Sequence, residues 1–299
     1  MSDSEVDCME FAEEVVTINK HCFKITKAPV FYAGIGGAIF PGSSYLATYL
    51  DVFFSSERDE DNNLSESNED RHDESAAENK NDVNEPAYDL AIEIGCGVAA
   101  LPGLMCCRRN VCNTVVFADL PDVLSQLEPN VELNKRPLDN SGAACPETFC
   151  ISYDWDNGSR ETLAKSIGRS GALKPSLILA ADVVYDNTAS IMLAKAIGNL
   201  YCKDGKSDED EVENKNRQRV FVGQSSQLPQ PWEVFVWELY YVHGLGIKRI
   251  FECGPEGQKV PEGVYEISDQ IVCDDLEKKY GERGSHTAPV FYPGKELGA

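Results

Sequence analysis

The sequence predicts an α/β fold, in which a mostly parallel sheet is covered by helices on both faces. Short apolar runs that end in Gly or Asp alternate with amphipathic stretches from Tyr88 onward, and this alternation is typical of strands joined by crossover helices. The runs are apolar along most of their length, as strands of a buried parallel sheet are. Two late runs follow one another without a helical stretch between them, which predicts an antiparallel end to the sheet.

An N-terminal extension, residues 1–54, precedes this pattern. Residues 15–31 mix β-branched and aromatic residues with polar ones, so we expect one or two short strands there. Residues 33–50 begin with a Gly-rich turn. They continue as a helix from about Ser43, because apolar residues then recur at helical spacing.

Two acidic insertions and a polar tail lie outside the α/β pattern. Residues 55–85 are rich in Glu, Asp, Asn and Ser and have almost no apolar side chains. Such a segment cannot offset its ordering entropy by burial, so we predict a disordered insertion over residues 55–87. A second charged insertion covers residues 203–217, and residues 276–299 form a polar tail.

The predicted core covers residues 88–275. In chain order it has strands at 88–95, 113–120, 148–155, 176–185 and 219–227, helices at 98–109, 121–135, 188–201 and 232–246, and two final strands at 247–254 and 263–272. In the last helix, Phe235, Leu239 and Val242 are spaced to share one buried face.

The formal charge of −23 is concentrated in segments of the chain. Residues 1–14 carry −6, residues 51–90 carry −11 and residues 204–214 carry −5, which leaves −1 for the rest. A chain this acidic is unsuited to nucleic-acid binding through phosphate contacts, so we expect no nucleic-acid partner.

Other functional classes are also disfavoured. No apolar run approaches the roughly 20 residues of a membrane span, and the N-terminus lacks the basic and apolar regions of a secretory signal. The 11 cysteines include no C-x-x-C pair and the 4 histidines form no ligand cluster, so we predict no metal site. We therefore expect a cytoplasmic or nuclear monomer with reduced thiols and no membrane partner.

The turn after the first core strand has the residues of a cofactor-binding loop. Gly95, Gly97 and Ala100 fit the G-x-G-x-x-G/A pattern, in which the backbone approaches a ligand closely at the start of a helix. A tight turn without any ligand is the simpler interpretation of the glycines alone. Asp119, however, ends the next strand, where a carboxylate can accept both ribose hydroxyls of a nucleoside.

The ligand could be NAD or S-adenosylmethionine on this evidence, and two details favour the second. Glu93 lies two residues before Gly95 on the same side of the strand, where a carboxylate could serve the amino group of S-adenosylmethionine. A pyrophosphate would gain nothing from it. Asp182 and Tyr185 follow the apolar run at 176–181, at the sheet edge where ligand crevices lie. Asp182 alone could be an ordinary helix cap.

Together these motifs resemble the seven-β-strand protein methyltransferases with an Asp-x-x-Tyr motif, many of which methylate lysine. The matching pieces are AIEIGCGVAALPG, VVFADLPDVLSQLEPNVELN, the SYDW strand end and LILAADVVYD. The resemblance implies a Rossmann-like sheet of seven strands, S-adenosyl-L-methionine as cofactor and a protein substrate.

The resemblance also implies roles for individual residues. The cofactor would contact Phe40, Glu93, Gly95, Cys96, Gly97, Asp119, Leu120, Asp154, Trp155 and Ala181, and the catalytic residues would be Asp182 and Tyr185. Gly95–Gly97 would hold its methionine part, Asp119 its ribose, and Trp155 its adenine. Phe40 stands where the family usually has a Trp, so the ring is kept and the indole N–H is lost.

The implied reaction is methyl transfer to a side-chain amine, most simply that of lysine. The protein must hold a neutral amine in line with the activated methyl group, and Asp182 and the carbonyl groups beside it are candidate acceptors for the amine. Tyr185 would orient it. The alternatives are a non-catalytic protein that binds cofactor or partners, or methylation of a histidine or a small-molecule amine.

Overall fold

The computed structural model describes residues 12–27, 34–66, 86–136, 145–202, 218–225, 229–253 and 262–282. Within these ranges the strands are β1 (Ala12–Ile18), β2 (His21–Lys27), β3 (Tyr88–Ile94), β4 (Cys112–Asp119), β5 (Glu147–Ser152), β6 (Leu177–Ala181), β7 (Arg219–Gln224), β8 (Gly246–Glu252) and β9 (Gly263–Ser268). The helices are α1 (Pro41–Glu66), α2 (Leu101–Arg109), α3 (Pro121–Asn134), α4 (Arg160–Ser166), α5 (Asn187–Leu200), α6 (Pro229–Trp237) and α7 (Asp274–Tyr280).

Seven of the described strands form one sheet in the order β5-β4-β3-β6-β7-β9-β8. Strands β3 to β7 run parallel, and β9 is antiparallel to both of its neighbours. The predicted fold class is confirmed: a Rossmann-like, mostly parallel sheet with an antiparallel end and a separate N-terminal β-hairpin, β1–β2. The strand order reverses beside β3, so a crevice is expected at the carboxyl ends of β3, β4 and β6.

Both faces of the sheet are buried, as the apolar strands predict. On one face Ala91 of β3 packs with Leu46 and Leu50 of α1. On the other face Ile92 belongs to a cluster with Leu193 of α5. Neighbouring residues of β3 thus face opposite layers, which is why the strand reads as a continuous apolar run.

The N-terminal hairpin is fastened to the core by the buried carboxylate of Asp51 in α1. Its Oδ2 accepts a hydrogen bond from Asn19 Nδ2 at 2.6 Å, and its Oδ1 lies 3.0 Å from His21 Nε2. Arg109, the last residue of α2, donates to the same Oδ1. Burial alone raises the pKa of Asp51, but the bond from Asn19 and the charge of Arg109 outweigh it and hold that pKa below its ordinary value.

The first helix is longer than the sequence predicts. Because α1 ends at Glu66, residues 55–66 are helical, although they were expected to begin the disordered insertion. Leu46, Leu50 and Phe54 are buried and stabilise the first turns, and extending an established helix costs little per residue. Residues 67–85, the insertion at 203–217 and residues 283–299 of the predicted tail lie outside the described residues.

Four further differences concern the later elements. A short helix, α4, lies between β5 and β6 where none was predicted, and α7 begins just before the predicted tail. The strand predicted at 176–185 ends at Ala181. A π-helical turn at Glu238–Val242 follows α6, and its wider spacing turns Val242 to solvent while Phe235 and Leu239 stay buried.

Among the helices that the structure describes, none combines the length and apolar character that crossing a bilayer requires.

Candidate functional site

The turn between β3 and α2 is shaped for close approach of the backbone. Gly95 and Gly97 have φ angles of 64° and 60°, in the left-handed region that favours glycine. A Cβ atom on Gly95 would lie 2.5 Å from Val183 Cγ1 and 2.7 Å from Trp155 Cζ2. A Cβ atom on Gly97 would lie 3.0 Å from the carbonyl oxygen of Gly36. The positions predicted from the G-x-G pattern are therefore positions where a side chain would clash.

Asp119, at the end of β4, supports the same turn. Its Oδ2 accepts a hydrogen bond from Gly97 N at 2.7 Å, and its Oδ1 accepts one from Leu120 N at 2.7 Å. Burial raises the pKa of this carboxyl group, and the two N–H donors oppose that change. Each oxygen keeps acceptor capacity, so the carboxylate could still receive ribose hydroxyls from the cavity side.

A cavity of about 450 Å³ opens at the carboxyl ends of β3, β4 and β6. Its volume is within the range of small-molecule sites. Eleven of the twelve predicted site residues line it: Phe40, Gly95, Cys96, Gly97, Asp119, Leu120, Asp154, Trp155, Ala181, Asp182 and Tyr185. The structure thus gathers residues from five separate parts of the chain around one space.

Glu93 is the predicted residue that does not line this cavity. It is 1% exposed and lies behind the glycine turn, where its Oε2 accepts a hydrogen bond from Gly103 N at 2.8 Å in the first turn of α2. Its Oε1 has no hydrogen-bond partner among the described residues. Burial raises the pKa of Glu93 to about 8, against the opposing effect of the Gly103 N–H. Glu93 therefore does not border the cavity, and its contact with a cofactor amino group stays a prediction.

Asp154 and Trp155 follow β5 at the side of the cavity. The exposed Asp154 carboxylate accepts hydrogen bonds from Asn157 Nδ2 at 2.8 Å and from Asp156 N at 2.9 Å. These hydrogen bonds hold the pKa of Asp154 below its ordinary value, and the bond from Asn157 has the larger effect. The Trp155 ring packs against Gly95 and lines the cavity, where an aromatic surface is available to a flat heterocycle.

Asp182 joins three elements at the edge of the cavity. Its Oδ1 accepts hydrogen bonds from Ser225 N at 2.6 Å and from Ser225 Oγ at 2.7 Å, just after β7. Its Oδ2 accepts a hydrogen bond from Gly42 N in the first turn of α1. A Cβ atom on Gly42 would lie 2.6 Å from the carboxylate, so only glycine allows this approach.

This geometry adds a structural role to the one predicted for the Asp182 side chain. Its carboxylate oxygens accept hydrogen bonds from the N-terminus of α1 and from Ser225, so the side chain links the walls of the cavity, and its contact with the amine stays a prediction. Its backbone has φ 52°, which is uncommon outside glycine and tolerated best by Asp and Asn. Strained backbone of this kind clusters at functional sites.

Tyr185 stands at the mouth of the cavity, with 40% of its surface exposed. Its partial burial raises the pKa of the phenol, and the charges of Asp186 and Asp119 add to the change. An exposed aromatic ring beside an open cavity is available to an incoming side chain.

Sequence reasoning missed half of the cavity lining. The additional residues are Gly36, Ala38, Ser43, Ala99, Asp122, Val123, Val183, Asp186, Thr188, Ala189 and Met192. Asp186 had a visible signal, because an Asp before a helical stretch is a helix cap and it does cap α5 by accepting from Ala189 N at 2.8 Å. The other residues belong to no recognisable sequence motif, and only the folded chain brings them to the cavity.

The sheet order, the reversed strand β9 and the cavity beside β3 define a Rossmann-like α/β protein with a ligand site at the point where the strand order reverses. The chain belongs to the lysine methyltransferase family, whose model matches residues 23–220. The protein is therefore an S-adenosylmethionine-dependent methyltransferase, with S-adenosyl-L-methionine as its cofactor.

Several solved structures resemble the chain at low identity. A transferase from Pyrococcus horikoshii is 13% identical, with a TM-score of 0.45, over 87% of this chain and 72% of the other. TYW2 from P. horikoshii, in complex with MeSAdo, is 14% identical, with a TM-score of 0.42, over 86% and 70%. TrmK of M. capricolum, in complex with S-adenosyl-homocysteine, is 12% identical, with a TM-score of 0.36, over 65% and 69%. No curated protein matches the chain.

Proposed function

We propose that the protein transfers the methyl group of S-adenosylmethionine to the ε-amino group of a lysine in a protein substrate. The observation that carries this proposal is the charge of the cavity lining. Its described residues include five carboxylates, at Asp119, Asp122, Asp154, Asp182 and Asp186, and no Lys, Arg or His. Such a lining attracts a cationic side chain and repels a phosphate. The description of the matching family as lysine methyltransferases supports the same acceptor.

The cavity residues are suited to hold the cofactor in a defined direction. Gly95 and Gly97 let a methionine moiety approach the backbone, and Asp119 faces the position of the ribose. The Trp155 ring would lie against the adenine. Tyr185 stands at the mouth of the same cavity, where an acceptor side chain would enter. These placements follow the family pattern and belong to the proposal.

The acceptor amine must lose its proton before it can react. The exposed carboxylates of Asp122, Asp154 and Asp186 attract a lysine ammonium group at the mouth. Val183 and Met192 of the same lining offer apolar surface, which disfavours the charged form and lowers the pKa of the amine. The two inner carboxylates already accept backbone N–H groups, which reduces their pull on the proton.

When bound, the cofactor would supply a methyl group activated by its positively charged sulfur. The lone pair of the amine forms the new N–C bond as the C–S bond breaks, and the electron pair of the C–S bond stays on sulfur. The amine releases one proton to solvent for each methyl group transferred. Asp182 contributes by holding α1 and the end of β7 in place around the acceptor. The protein accelerates the step mainly through position and exclusion of water.

The proposal is tested by incubating the purified protein with radiolabelled S-adenosylmethionine and a methylation-deficient lysate. We expect labelled protein bands that are absent with Gly95→Arg, whose side chain would collide with Val183 and Trp155 in the cavity wall. The matched control is Gly168→Arg, because Gly168 also has a positive φ, of 70°, and no atom lies within 4 Å of the place that a Cβ atom would take there. An unlabelled lysate, together with normal binding of S-adenosylhomocysteine, would support the non-catalytic alternative and contradict the proposal.

A further inference from the structure

The outer edge of β2 is paired with side chains instead of a third strand. Asn134 of α3 accepts a hydrogen bond from Lys24 N at 2.9 Å through Oδ1 and donates one to Lys24 O at 2.7 Å through Nδ2. Asn130 makes the same pair of hydrogen bonds with Thr26: it accepts one from Thr26 N at 2.9 Å and donates one to Thr26 O at 3.0 Å. Both asparagines are 1% exposed.

The spacing of the two elements explains this match. Lys24 and Thr26 are two residues apart, so their N–H and C=O groups point to the same edge and are separated by about 6.6 Å along the strand. Asn130 and Asn134 are four residues apart, which is about 6 Å along a helix and on one face. A carboxamide has the donor and acceptor of a peptide group, so the two side chains continue the ladder of the hairpin.

The two asparagines differ in their remaining N–H group. Asn134 Nδ2 also donates to Asn130 O at 2.8 Å, inside its own helix. Asn130 Nδ2 instead donates to Val98 O at 2.8 Å, in the glycine turn of the cofactor site. Asn130 therefore bridges two parts of the molecule, the hairpin and the cofactor turn, whereas Asn134 serves the hairpin alone.

Val98 is the residue through which this bridge reaches the cavity. Its N–H donates to Gly36 O at 2.9 Å, and its carbonyl group is held by Asn130, so both polar groups of its backbone are fixed. Gly97 and Ala99, on either side of Val98, line the cavity. A shift of the Val98 carbonyl would therefore move the surface that the cofactor meets.

We infer that Asn130 is a positioning residue for the cofactor: it joins the Val98 carbonyl group to the docked β1–β2 hairpin, and this bond, not the bonds to β2 alone, sets the cofactor affinity. The inference concerns the cofactor turn, so it holds whichever acceptor is methylated. Because coupling between two sites is reciprocal, cofactor binding must also stabilise the docked hairpin.

The experiment compares Asn130→Ala with Asn134→Ala in the full chain. Each variant loses both bonds to β2, so we expect similar falls in the melting temperature without ligand. The dissociation constant for S-adenosylhomocysteine, measured by calorimetry at a temperature where both are folded, should separate them. We expect an increase of about tenfold for Asn130→Ala, as for one lost buried hydrogen bond, and less than about threefold for Asn134→Ala. Equal changes in the two variants would overturn the inference.

A measurement on the unmodified protein covers the case in which Asn130→Ala does not fold. Saturating S-adenosylhomocysteine should slow hydrogen exchange of the Lys24 and Thr26 amides, because the stabilised turn holds Asn130 against β2. Exchange at the Leu276 and Glu277 amides of α7, which are bonded to Cys273 O, should stay unchanged. Exchange at Thr26 that is insensitive to the ligand would contradict the inference.

Discussion

Gly95 shows how strictly one position of the site is determined. Its φ of 64° favours glycine, and Val183 and Trp155 occupy the space of any side chain. The two effects have different origins, the first in the backbone and the second in packing. Only the packing effect concerns the cavity. A comparison of two glycines can separate it from the backbone effect.

We predict that Gly95→Ala lowers the affinity for S-adenosylhomocysteine at least about tenfold, because overpacking costs about 1–3 kcal/mol and falls on the cavity wall. The measurement is calorimetric titration. Gly168→Ala is the control, since φ is 70° there and no atom lies within 4 Å of the added methyl group. It should lower the free energy of unfolding by about 1–2 kcal/mol and leave the affinity unchanged. Equal loss of affinity in both variants would show that strain, and not packing, matters.

Glu93 should make stability fall as pH rises. Its pKa is raised by burial to about 8 in the folded protein from 4.5, so the folded state binds more protons between these values. Its stabilising contribution is complete below about pH 4.5 and is lost as pH rises through about 8.

We therefore predict that Glu93→Gln flattens the pH dependence of the unfolding free energy between pH 5 and 8. The difference between the two proteins over that range should be on the order of a few kcal/mol, measured by urea denaturation. Parallel curves for the two proteins would mean that Glu93 is ionised in the folded state.

The sequence supports predictions of site residues only where the signal is local. The glycine turn and Asp119 were identifiable because each lies at the end of an apolar strand, and sheet geometry brings such ends together. The partners of Asp182 were not, because Gly42 is 140 positions away and Ser225 is 43 positions away. A carboxylate at a strand end looks the same whether it binds a substrate or anchors a helix.

At the scale of elements, every predicted strand of the sheet is present, whereas α4 and the full extent of α1 were not predicted. A strand buried on both faces leaves a continuous apolar run, whereas α1 continues to Glu66 through residues that are almost all polar in the sequence, so no helical pattern of apolar residues marks that part. The short helix α4 was missed because its stability comes from a capping box of Ser159 and Thr162, with few buried residues. The π-helical turn after α6 cannot be read from spacing, since it changes the period itself.

Asp182 links the end of β6 to α1 and to the end of β7 through hydrogen bonds, and we predict that these bonds affect catalysis. Ser225→Ala removes one of the hydrogen bonds to the carboxylate, so we expect kcat to fall about fivefold, the equivalent of about 1 kcal/mol. The measurement is initial rates at saturating cofactor. Ser159→Ala is the control: Ser159 does not line the cavity, so loss of that helix cap should cost about 1 kcal/mol of stability and leave kcat unchanged. An unchanged or higher kcat in Ser225→Ala would favour Asp182 as a direct acceptor for the amine.

At the scale of the whole molecule, the charge of −23 and the fold are separate properties. Most of the charge belongs to residues 1–14, 51–90 and 204–214, and the remainder carries −1. The acidic lining of the cavity, by contrast, comes from residues scattered along the near-neutral remainder. Overall composition therefore carried no information about the electrostatics of the site, which depends on how the chain folds.

We predict that replacing residues 67–85 with a neutral Gly/Ser linker of equal length leaves the core intact. None of the motifs that build the cavity lies in this segment, so the melting temperature and the affinity for S-adenosylhomocysteine should stay within error. Scanning calorimetry and titration measure the two quantities. A clear fall in either would mean that the segment supports the site directly.

The most direct test of the central claim is mass spectrometry of a protein band labelled by this enzyme in a methylation-deficient lysate. We expect the added methyl group on the side-chain nitrogen of a lysine, with no such peptide when Gly95→Arg replaces the enzyme. Methyl groups found on histidine, or only on small molecules, would contradict protein-lysine methylation while leaving the methyltransferase fold and cofactor in place.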